Sequence, residues 1–490
     1  MEELASLKAL GTWVTVPLPK GCRALPVKWV YKIKRGTNGD IERFKARLVA
    51  KGFMQREGVD FEEVFAPTSS MDSLRLPLSI VALDDLELHQ LDVKTAFLYG
   101  ELKETVYVDQ PPGFVSGSDK CRLLRSLYGL RQAPRAWHTK LKTELTQLGF
   151  LPTSADAALF ARYGKEGAVY VLLHVDDLLM AADTEAQLAE VKAALASAFE
   201  VKDLGVATRY LNVEIVRDRA ARTLKLSQQS YAVELLGQFG MSEGKPRLLP
   251  MAPGVQLTRV GEGDEGLGPE EASHYRSLVG GLMYLANGTR PDLAQSVGVL
   301  ARHMQKPSAE HLGAAKGVLR YLAGTKEKGL MYGAVPYKLE GYCDADYASD
   351  LDTRRSTTGY VFVMGGGAIC WQSKLQQTVA LSTVEAEYMA ASAATRQALW
   401  LQKLLDVFEF EPSPMPIFGN NQGAQALVRN PIIQQRSKHI DVLHHFVRER
   451  AERGEVKFAY VETARMLADA LTKPVPQQKL VFCREGMGVI

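Results

Sequence analysis

The sequence has little cysteine and no long apolar run. Its five cysteines are spread over 490 residues and form no Cys-x-x-Cys pair, which argues against zinc knuckles and a disulfide framework and fits a reducing compartment. No apolar run approaches the roughly 18 residues that a membrane span requires. The acidic start, Met1-Glu2-Glu3-Leu4, also differs from a basic signal peptide. We therefore expect an intracellular protein that does not enter a membrane.

Composition predicts an ordinary globular chain, with 46% hydrophobic and 23% charged residues. Its length suggests about three domains. The net charge of +3 conceals two basic stretches. Eleven Lys or Arg and only two acids lie between Lys20 and Arg56, and a second basic stretch runs from Lys120 to Lys142. Such stretches suit phosphate backbones, and a solvated charged face is the alternative interpretation of either one.

Adjacent aspartates interrupt an apolar run. The sequence Leu172-Leu173-His174-Val175-Asp176-Asp177-Leu178-Leu179 predicts a tight turn that carries two mutually repelling carboxylates. Upstream, Asp92 lies in a second apolar segment, Gln90-Leu91-Asp92-Val93. One plus two carboxylates on neighbouring strands suit two-metal phosphoryl or nucleotidyl transfer, because hard cations prefer oxygen ligands.

Turn signals and apolar periodicity outline the remaining elements. Strands 27–35 and 41–50 flank the hairpin signal Asn38-Gly39. Pro134 opens a helix, and Asp183 or Thr184 caps the next one. The two helices place these apolar residues on their buried faces: Trp137, Leu141, Leu145 and Leu148, then Leu188, Val191, Leu195 and Phe199.

The second half of the sequence is predicted to contain a linker, a helical segment and a mixed α/β unit. Residues 254–268 lack periodicity, and residues 275–324 are helical in pattern. Strands are predicted over 339–347, 359–364, 368–372, 415–419 and 456–461. A helix from Ser382 through Leu405 begins with a capping box in which Glu385 reaches back. A His-rich helix around 439–450 and a last helix carrying Asp469 complete the unit.

Several motifs, in this order, resemble the reverse transcriptase and ribonuclease H region of the Copia-type LTR retrotransposon Pol polyprotein. They are Lys45-Ala46-Arg47-Leu48-Val49-Ala50-Lys51-Gly52-Phe53, Asp92-Val93-Lys94-Thr95-Ala96-Phe97, Leu127-Tyr128-Gly129-Leu130-Arg131-Gln132-Ala133-Pro134, Val175-Asp176-Asp177, Asp344-Ala345-Asp346, Glu385-Ala386-Glu387-Tyr388, Lys438-His439-Ile440 and Ala468-Asp469-Ala470-Leu471-Thr472-Lys473. The resemblance implies a mixed α/β (α+β) fold: a right-hand polymerase, a helical connection and a ribonuclease H-like domain. The predicted domains are 10–252, 253–335 and 336–475, with a C-terminal tail over 476–490.

The resemblance also implies roles in polymerisation. Asp92, Asp176 and Asp177 would be the catalytic metal carboxylates, for two Mg²⁺ ions or Mn²⁺ in their place. Phe97 would exclude the 2′-hydroxyl of a ribonucleotide, although its residue type alone favours a core position. The remaining substrate contacts would come from Lys45, Arg47, Lys51, Gln132 and Lys202. The sequence leaves open which of Lys45, Arg47 and Lys51 contacts the triphosphate. Lys202 fits a plain surface lysine as well as it fits a substrate contact.

In the ribonuclease H-like unit the resemblance implies a second two-metal site with Asp344, Glu387 and Asp469 as catalytic ligands. Glu385 competes for the helix position, but the capping box gives it a structural role. Asn420 stands where the family has a carboxylate. An amide oxygen still ligates a hard cation, with one negative charge fewer.

Two further departures from the family are His174, before the paired aspartates, and Asn212. The expected function is RNA-directed DNA synthesis, with an RNA template, a DNA or RNA primer, dNTPs and RNA–DNA hybrids as partners. The expected location is a cytoplasmic virus-like particle or the nucleus. The alternative is a decayed or truncated element copy that folds and binds nucleic acid without catalysis.

Overall fold

The computed structural model describes residues 2–35, 40–261, 263–333, 335, 337–410, 413–429 and 441–490. The chain divides into two compact units, each built from two stretches of sequence. The first combines Met1–Ser69 with Glu87–Val206, and the second combines Ser70–Leu86 with Ala207–Ile490. The boundaries predicted near residues 252 and 335 both fall within the second unit, and the proposed division into family modules stays a prediction.

A six-stranded antiparallel sheet forms the centre of the first unit. Its strands, from one edge to the other, are Val201–Val206, Glu87–Val93, Asp177–Ala182, Gly167–His174, Leu159–Gly164 and Leu151–Pro152. Helices Ala133–Gln147 and Glu185–Ala198 bury the apolar stripes predicted for them against this sheet. Thr184, rather than Asp183, caps the second helix in a capping box with Gln187.

A basic hairpin and a small sheet complete the first unit. The hairpin strands, Val27–Arg35 and Ile41–Ala50, pair antiparallel within the predicted bounds, and their predicted turn at 36–39 lies outside the described residues. The small sheet consists of Trp13–Val16, Lys120–Leu123, Tyr107–Val108 and Ala24–Leu25. The sequence reasoning missed the helix Glu2–Ala9. This helix buries Leu4 and Leu7 in the hydrophobic core that residues of the hairpin and the small sheet also form.

The second unit begins with a helical part and a small sheet. The antiparallel sheet contains Arg209–Tyr210, Val213–Asp218, Thr223–Ser227 and Leu330–Gly333. The helices are Met71–Asp84, Gln229–Gln238, Pro269–Gly288, Ala294–Ala301 and Ala309–Ala323. The described part of the predicted linker, 254–261 and 263–268, contains no helix or strand.

A five-stranded mixed sheet forms the rest of the second unit. Its order is Gly367–Leu375, Thr357–Met364, Glu340–Ala345, Met415–Gly419 and Val456–Tyr460. The first three strands pair antiparallel and the last two join in parallel. The accompanying helices are Thr383–Asp406, Gln422–Arg429, Asp441–Glu452, Asp469–Thr472 and Gln477–Gly486.

Two details differ from the sequence expectations for this part. The predicted tail contains the helix Gln477–Gly486, and Val489 forms a β-bridge with Leu330. Ser382 caps its helix as predicted, but the Glu385 carboxylate accepts a hydrogen bond from the Leu381 amide instead of closing the box on Ser382. The motif Lys438-His439-Ile440 lies outside the described residues.

Candidate active sites

Strand register brings the first set of carboxylates together. Asp177 and Asp92 are direct partners on adjacent antiparallel strands, and Asp176 lies in the two-residue turn before Asp177. The pKa of Asp177 is raised, first by burial and then by repulsion from Asp176, with a smaller contribution from Asp92. The Gln90 amide opposes this shift by donating to Asp177 Oδ1 at 3.2 Å. The carboxylates therefore lie close enough to act as one anionic centre.

The turn that presents Asp176 is strained and held from two sides. Val175 has φ +58°, a conformation that is costly for a β-branched residue. Its carbonyl accepts a hydrogen bond from Trp137 Nε1 at 2.6 Å, and the Asp176 carbonyl accepts one from the Val93 amide at 2.8 Å. The surrounding core therefore fixes the backbone of the carboxylate pair. Backbone strain of this kind is concentrated at functional sites.

Cations line a cavity of about 690 Å³ beside this centre. Its wall includes Asp92 and Asp176, and the predicted contacts Lys45, Arg47 and Lys202. Lys202 is the strand partner of Asp92, while Lys45 and Arg47 come from the basic hairpin. Anionic and cationic groups that share one cavity can hold a hard cation together with a phosphate chain.

The sequence reasoning missed several residues in the wall of this cavity. They are Glu2, Glu3, Arg43, Lys94 and Glu200. Arg43 could have been found, because residues 43, 45 and 47 share one face of a strand with a period of two. Glu3 had no signal, since it belongs to the helix that was not predicted, and its carboxylate accepts from the Leu48 amide at 3.3 Å.

Tyr128 was also missed, although it lies between the predicted residues. The Arg47 guanidinium carbon lies 4.7 Å from the centre of its ring, and the Phe97 ring centre lies at 5.1 Å. Burial raises the Tyr128 pKa to about 12; Arg47 opposes this shift, and Asp176 and Asp92 add to it by smaller amounts. The structure therefore places Phe97 next to the cation-bearing side of the centre, half-buried against Tyr128.

A glycine fixes the backbone after this tyrosine. Gly129 has φ +90°, and a Cβ there would lie 2.2 Å from the Ala50 carbonyl oxygen. The Tyr128 carbonyl accepts from the Ala50 amide at 2.8 Å. Only a residue without a side chain permits this approach to the hairpin strand.

Besides Phe97, two predicted substrate contacts lie outside the residues that line the cavity. Gln132 is 3% exposed, and its amide group bonds to the Gln55 side chain and the Asp60 carbonyl, each at 2.9 Å. Lys51 is half-buried, and its amide donates to the Pro26 carbonyl at 2.9 Å. His174 contacts Ser69, with 3.3 Å between Nδ1 and Oγ. The roles proposed for Gln132 and Lys51 remain predictions.

A second carboxylate group lies in the five-stranded sheet of the other unit. Asp344 ends the strand Glu340–Ala345, Glu387 lies in the helix Thr383–Asp406, and Asp469 begins the helix Asp469–Thr472. Burial and Asp344 raise the pKa of Glu387 to about 8. The pKa of Asp344 rises to about 6, first by burial, and Lys473 and Asp469 shift it in opposite directions.

Close packing at Gly359 positions Asp469. A Cβ on Gly359 would lie 2.7 Å from Thr472 Cγ2 and 3.1 Å from the Ala468 carbonyl oxygen. The short helix therefore rests directly on the strand that pairs with Asp344. Thr472 Oγ1 donates to Asp344 Oδ2 at 2.5 Å.

Glu387, not Glu385, joins this second group. Glu385 is 6% exposed, with its carboxylate bonded to the Leu381 amide. Asp346, from the same motif as Asp344, is similarly occupied, since it accepts from the Thr357 amide at 2.8 Å. These contacts give Glu385 and Asp346 structural roles.

Asn420 follows the strand next to that of Asp344. Gly341 pairs with Ile417 and Tyr342 with Phe418, and the same register continued for two residues brings Asn420 level with Asp344. Its amide nitrogen lies 3.5 Å from Thr463 Oγ1. The role of Asn420 in this site stays a prediction.

Oxygen donors of both groups suit Mg²⁺ in kind. Among the described residues, however, no three His, Cys, Asp or Glu side chains surround one point closely enough to hold a metal ion as they stand. In the second group a lysine ammonium lies among the carboxylates: Lys473 Nζ lies 2.7 Å from Asp469 Oδ1 and 3.4 Å from Asp344 Oδ2.

Comparisons with known proteins agree with this architecture. Residues 10–253 match the family model described as reverse transcriptase (RNA-dependent DNA polymerase). The chain is 42% identical over 494 residues to the retrovirus-related Pol polyprotein from transposon TNT 1-94 of Nicotiana tabacum. This match covers 100% of this chain and 37% of that protein. It is 33% identical over 309 residues to the putative transposon Ty5-1 protein of Saccharomyces cerevisiae, covering 62% of this chain and 98% of that protein.

The fold is similar to that of the foamy viral protease-reverse transcriptase in complex with RNA/DNA hybrid. That likeness has a TM-score of 0.55 at 12% identity and covers 94% of this chain and 52% of the other. It confirms the predicted fold class. The chain belongs to the reverse transcriptase family of Copia-type retrotransposon Pol polyproteins. It spans about a third of the length of the first curated relatives that it matches.

No helix in the described part of the chain is long and apolar enough to cross a membrane.

Proposed function

We propose that this chain is an RNA-directed DNA polymerase that extends a DNA or RNA primer with dNTPs on an RNA template. The observation that carries the proposal is the convergence of Asp92, Asp176 and Asp177 beside a cavity lined by Lys45 and Arg47. A nucleic-acid duplex as partner fits the structural neighbours, which are foamy viral protease-reverse transcriptases in complex with RNA/DNA hybrid and with dsDNA.

The residues divide the task between them. Asp92, Asp176 and Asp177 would hold two Mg²⁺ ions, or Mn²⁺ in their place, which supply Lewis acidity at the attacking and leaving oxygens when bound. Lys45 and Arg47 attract the triphosphate, and the Arg47 guanidinium offers a bidentate fork. The bonds from Trp137 and Val93 to the turn keep the Asp176 backbone in place during the reaction.

Primer extension with purified full-length protein tests this proposal. Asp176→Asn should reduce Mg²⁺-dependent extension by several orders of magnitude and leave binding of primer–template duplex largely intact, because positioned charge supplies most of such catalysis. Asp264→Asn, at an exposed position of the linker, is the matched control and should extend normally. Undiminished extension by Asp176→Asn would refute the site. Duplex binding without extension by the natural protein would favour the decayed element copy.

For the second carboxylate group we propose a ribonuclease H-like site that cleaves the RNA strand of an RNA–DNA hybrid weakly or not at all. The proposal is supported by the strand register, which, continued for two residues, would bring Asn420 level with Asp344, where the resemblance implies a fourth carboxylate. The neutral amide removes one charge from any ion held there.

A further inference from the structure

Lys473 is built into the second carboxylate group. It follows the helix Asp469–Thr472, and its ammonium nitrogen lies 2.7 Å from Asp469 Oδ1 and 3.4 Å from Asp344 Oδ2. The other Asp469 oxygen, Oδ2, lies 3.1 Å from Lys479 Nζ. Both carboxylate side chains are at most 2% exposed. One ammonium group therefore joins two buried carboxylates on different elements.

The charges of the group explain why a cation belongs there. Asp344, Glu387 and Asp469 carry up to three negative charges in a region from which water is largely excluded. Such charges repel strongly unless a cation neutralises them. Lys473 and Lys479 supply two positive charges, and Asn420 adds none. With all groups ionised, the five charged side chains sum to a net charge of −1, against −3 without the lysines.

The side chain of Lys473 can also move away from the carboxylates. Its side chain is 44% exposed, whereas that of Lys479 is 18% exposed, and Lys479 donates in addition to the carbonyls of Thr463 and Ala464. A lysine ammonium is strongly hydrated and sits on a flexible four-carbon stem. Rotation of that stem into solvent would expose Asp344 and Asp469 without moving the backbone.

We propose that Lys473 is a resident cation of the ribonuclease H-like site. Its ammonium group holds Asp344 and Asp469 together when no metal is bound, and a divalent ion binds between them only by displacing it. This inference rests on the proposed assignment of the site. It identifies Lys473 as a positioning residue that sets the affinity for metal.

The proposal predicts opposite effects of one substitution on stability and on metal affinity. Lys473→Met should lower the melting temperature in metal-free buffer, since the carboxylates lose their cation. The same change should reduce the Mn²⁺ or Mg²⁺ concentration at half-saturation about tenfold, because no ammonium competes. A tenfold change corresponds to about 1.4 kcal/mol. Lys473→Arg retains a cation and should resemble the natural protein in both measurements.

The experiment uses the full chain with Asp92→Asn, Asp176→Asn and Asp177→Asn, so that the three polymerase carboxylates do not contribute. Isothermal calorimetry with Mn²⁺ and Mg²⁺ gives the affinity, and thermal melting with EDTA or metal gives the stability. Lys457→Met, at an exposed position of the strand Val456–Tyr460, is the matched control. If Lys473→Met does not fold, the calorimetric test uses Lys473→Gln instead, which keeps a neutral hydrogen-bond donor.

Unchanged or weaker metal binding in the Lys473 variants would overturn the proposal, as would unchanged stability in EDTA. Adding Asp344→Asn to Lys473→Met should abolish the gained affinity. If it does not, the ion binds elsewhere and the assignment of the site fails, whereas a lack of any gain from Lys473→Met refutes the resident cation alone.

Discussion

Removal of the Arg75 side chain should strongly destabilise the second unit. Arg75 lies in the helix Met71–Asp84 and is 2% exposed, with its guanidinium 3.9 Å from the centre of the Trp371 ring. Nε donates to the Ile369 carbonyl at 2.7 Å, and Nη1 donates to the carbonyls of Asn287 and Gly288 at 2.7 and 2.9 Å. One side chain thus ties a helix from residues 70–86 to elements that follow two hundred residues later.

The size of the effect follows from the groups that Arg75→Met leaves behind. The methionine fills much of the space but donates nothing. The two buried carbonyl bonds, to Ile369 and Gly288, lose their donor, and each unsatisfied group costs about 1–3 kcal/mol. Asp72, which forms an ion pair with Arg75 and is itself 31% exposed, loses its charged partner as well, at a cost below the about 3–5 kcal/mol of a fully buried pair. Because these contributions overlap, we expect a loss of roughly 4 kcal/mol.

Urea unfolding of the full chain, followed by tryptophan fluorescence, measures this loss. Arg75→Lys should lie between the natural protein and Arg75→Met, because an ammonium keeps the charge without the fork. Arg396→Met, at an exposed helix position, is the control and should stay within about 0.5 kcal/mol. A loss below about 1 kcal/mol for Arg75→Met would show that the guanidinium network does not hold the unit together.

Three further predictions concern the two sites. Phe97→Val should raise the ratio of kcat/KM for ribonucleotides to that for deoxynucleotides, because a smaller side chain leaves room for the 2′-hydroxyl; an unchanged ratio would leave Phe97 as a packing partner of Tyr128. Asn420→Asp should increase RNA cleavage in RNA–DNA hybrids and lower the Mg²⁺ concentration for half-maximal rate, with Asp344→Asn as the inactive control; no increase would mean that the amide is an adequate ligand. In EDTA, the stability contributed by protonated Glu387 should be fully present below about pH 4.5 and be lost as the pH rises through about 8, because burial and Asp344 raise the pKa of Glu387 in the folded state and its ionisation there costs stability. Glu387→Gln should flatten that fall in melting temperature, and a flat profile for the natural protein would contradict the pKa.

Elements whose sequence pattern is local were predictable. The strands Val27–Arg35, Ile41–Ala50 and Met415–Gly419 have the predicted bounds, because alternating or short apolar runs end at clear turn signals. The helix Met71–Asp84 was missed for the opposite reason. Its residues from Ser73 to Ala82 are all buried, so no polar face creates a helical period, and Pro77 within it argues against a helix.

Motif residues of the sites were also predictable, but their partners were not. Asp92 and Asp177 could be paired from the sequence because each lies in a strand of the same motif set. The position of Tyr128 depends on a backbone contact between Gly129 and Ala50, residues 79 apart in sequence. Lys473 was visible in its motif, yet its role depends on the packing of Thr472 against Gly359. Such long-range contacts leave no periodic signal in the chain.

Both sites combine carboxylates with basic residues, but the basic residues lie differently relative to the carboxylates. In the first unit, Lys45 and Arg47 come from the hairpin and the carboxylates from the sheet, with a cavity of about 690 Å³ beside them. A polyanion and its counter-ions can therefore reach both kinds of group through the cavity. In the second unit, Lys473 and Lys479 form ion pairs with the carboxylates themselves. A divalent ion gains less there, since it must displace an ammonium group and finds Asn420 in place of a fourth carboxylate. Polymerisation should therefore require a lower Mg²⁺ concentration than hybrid cleavage.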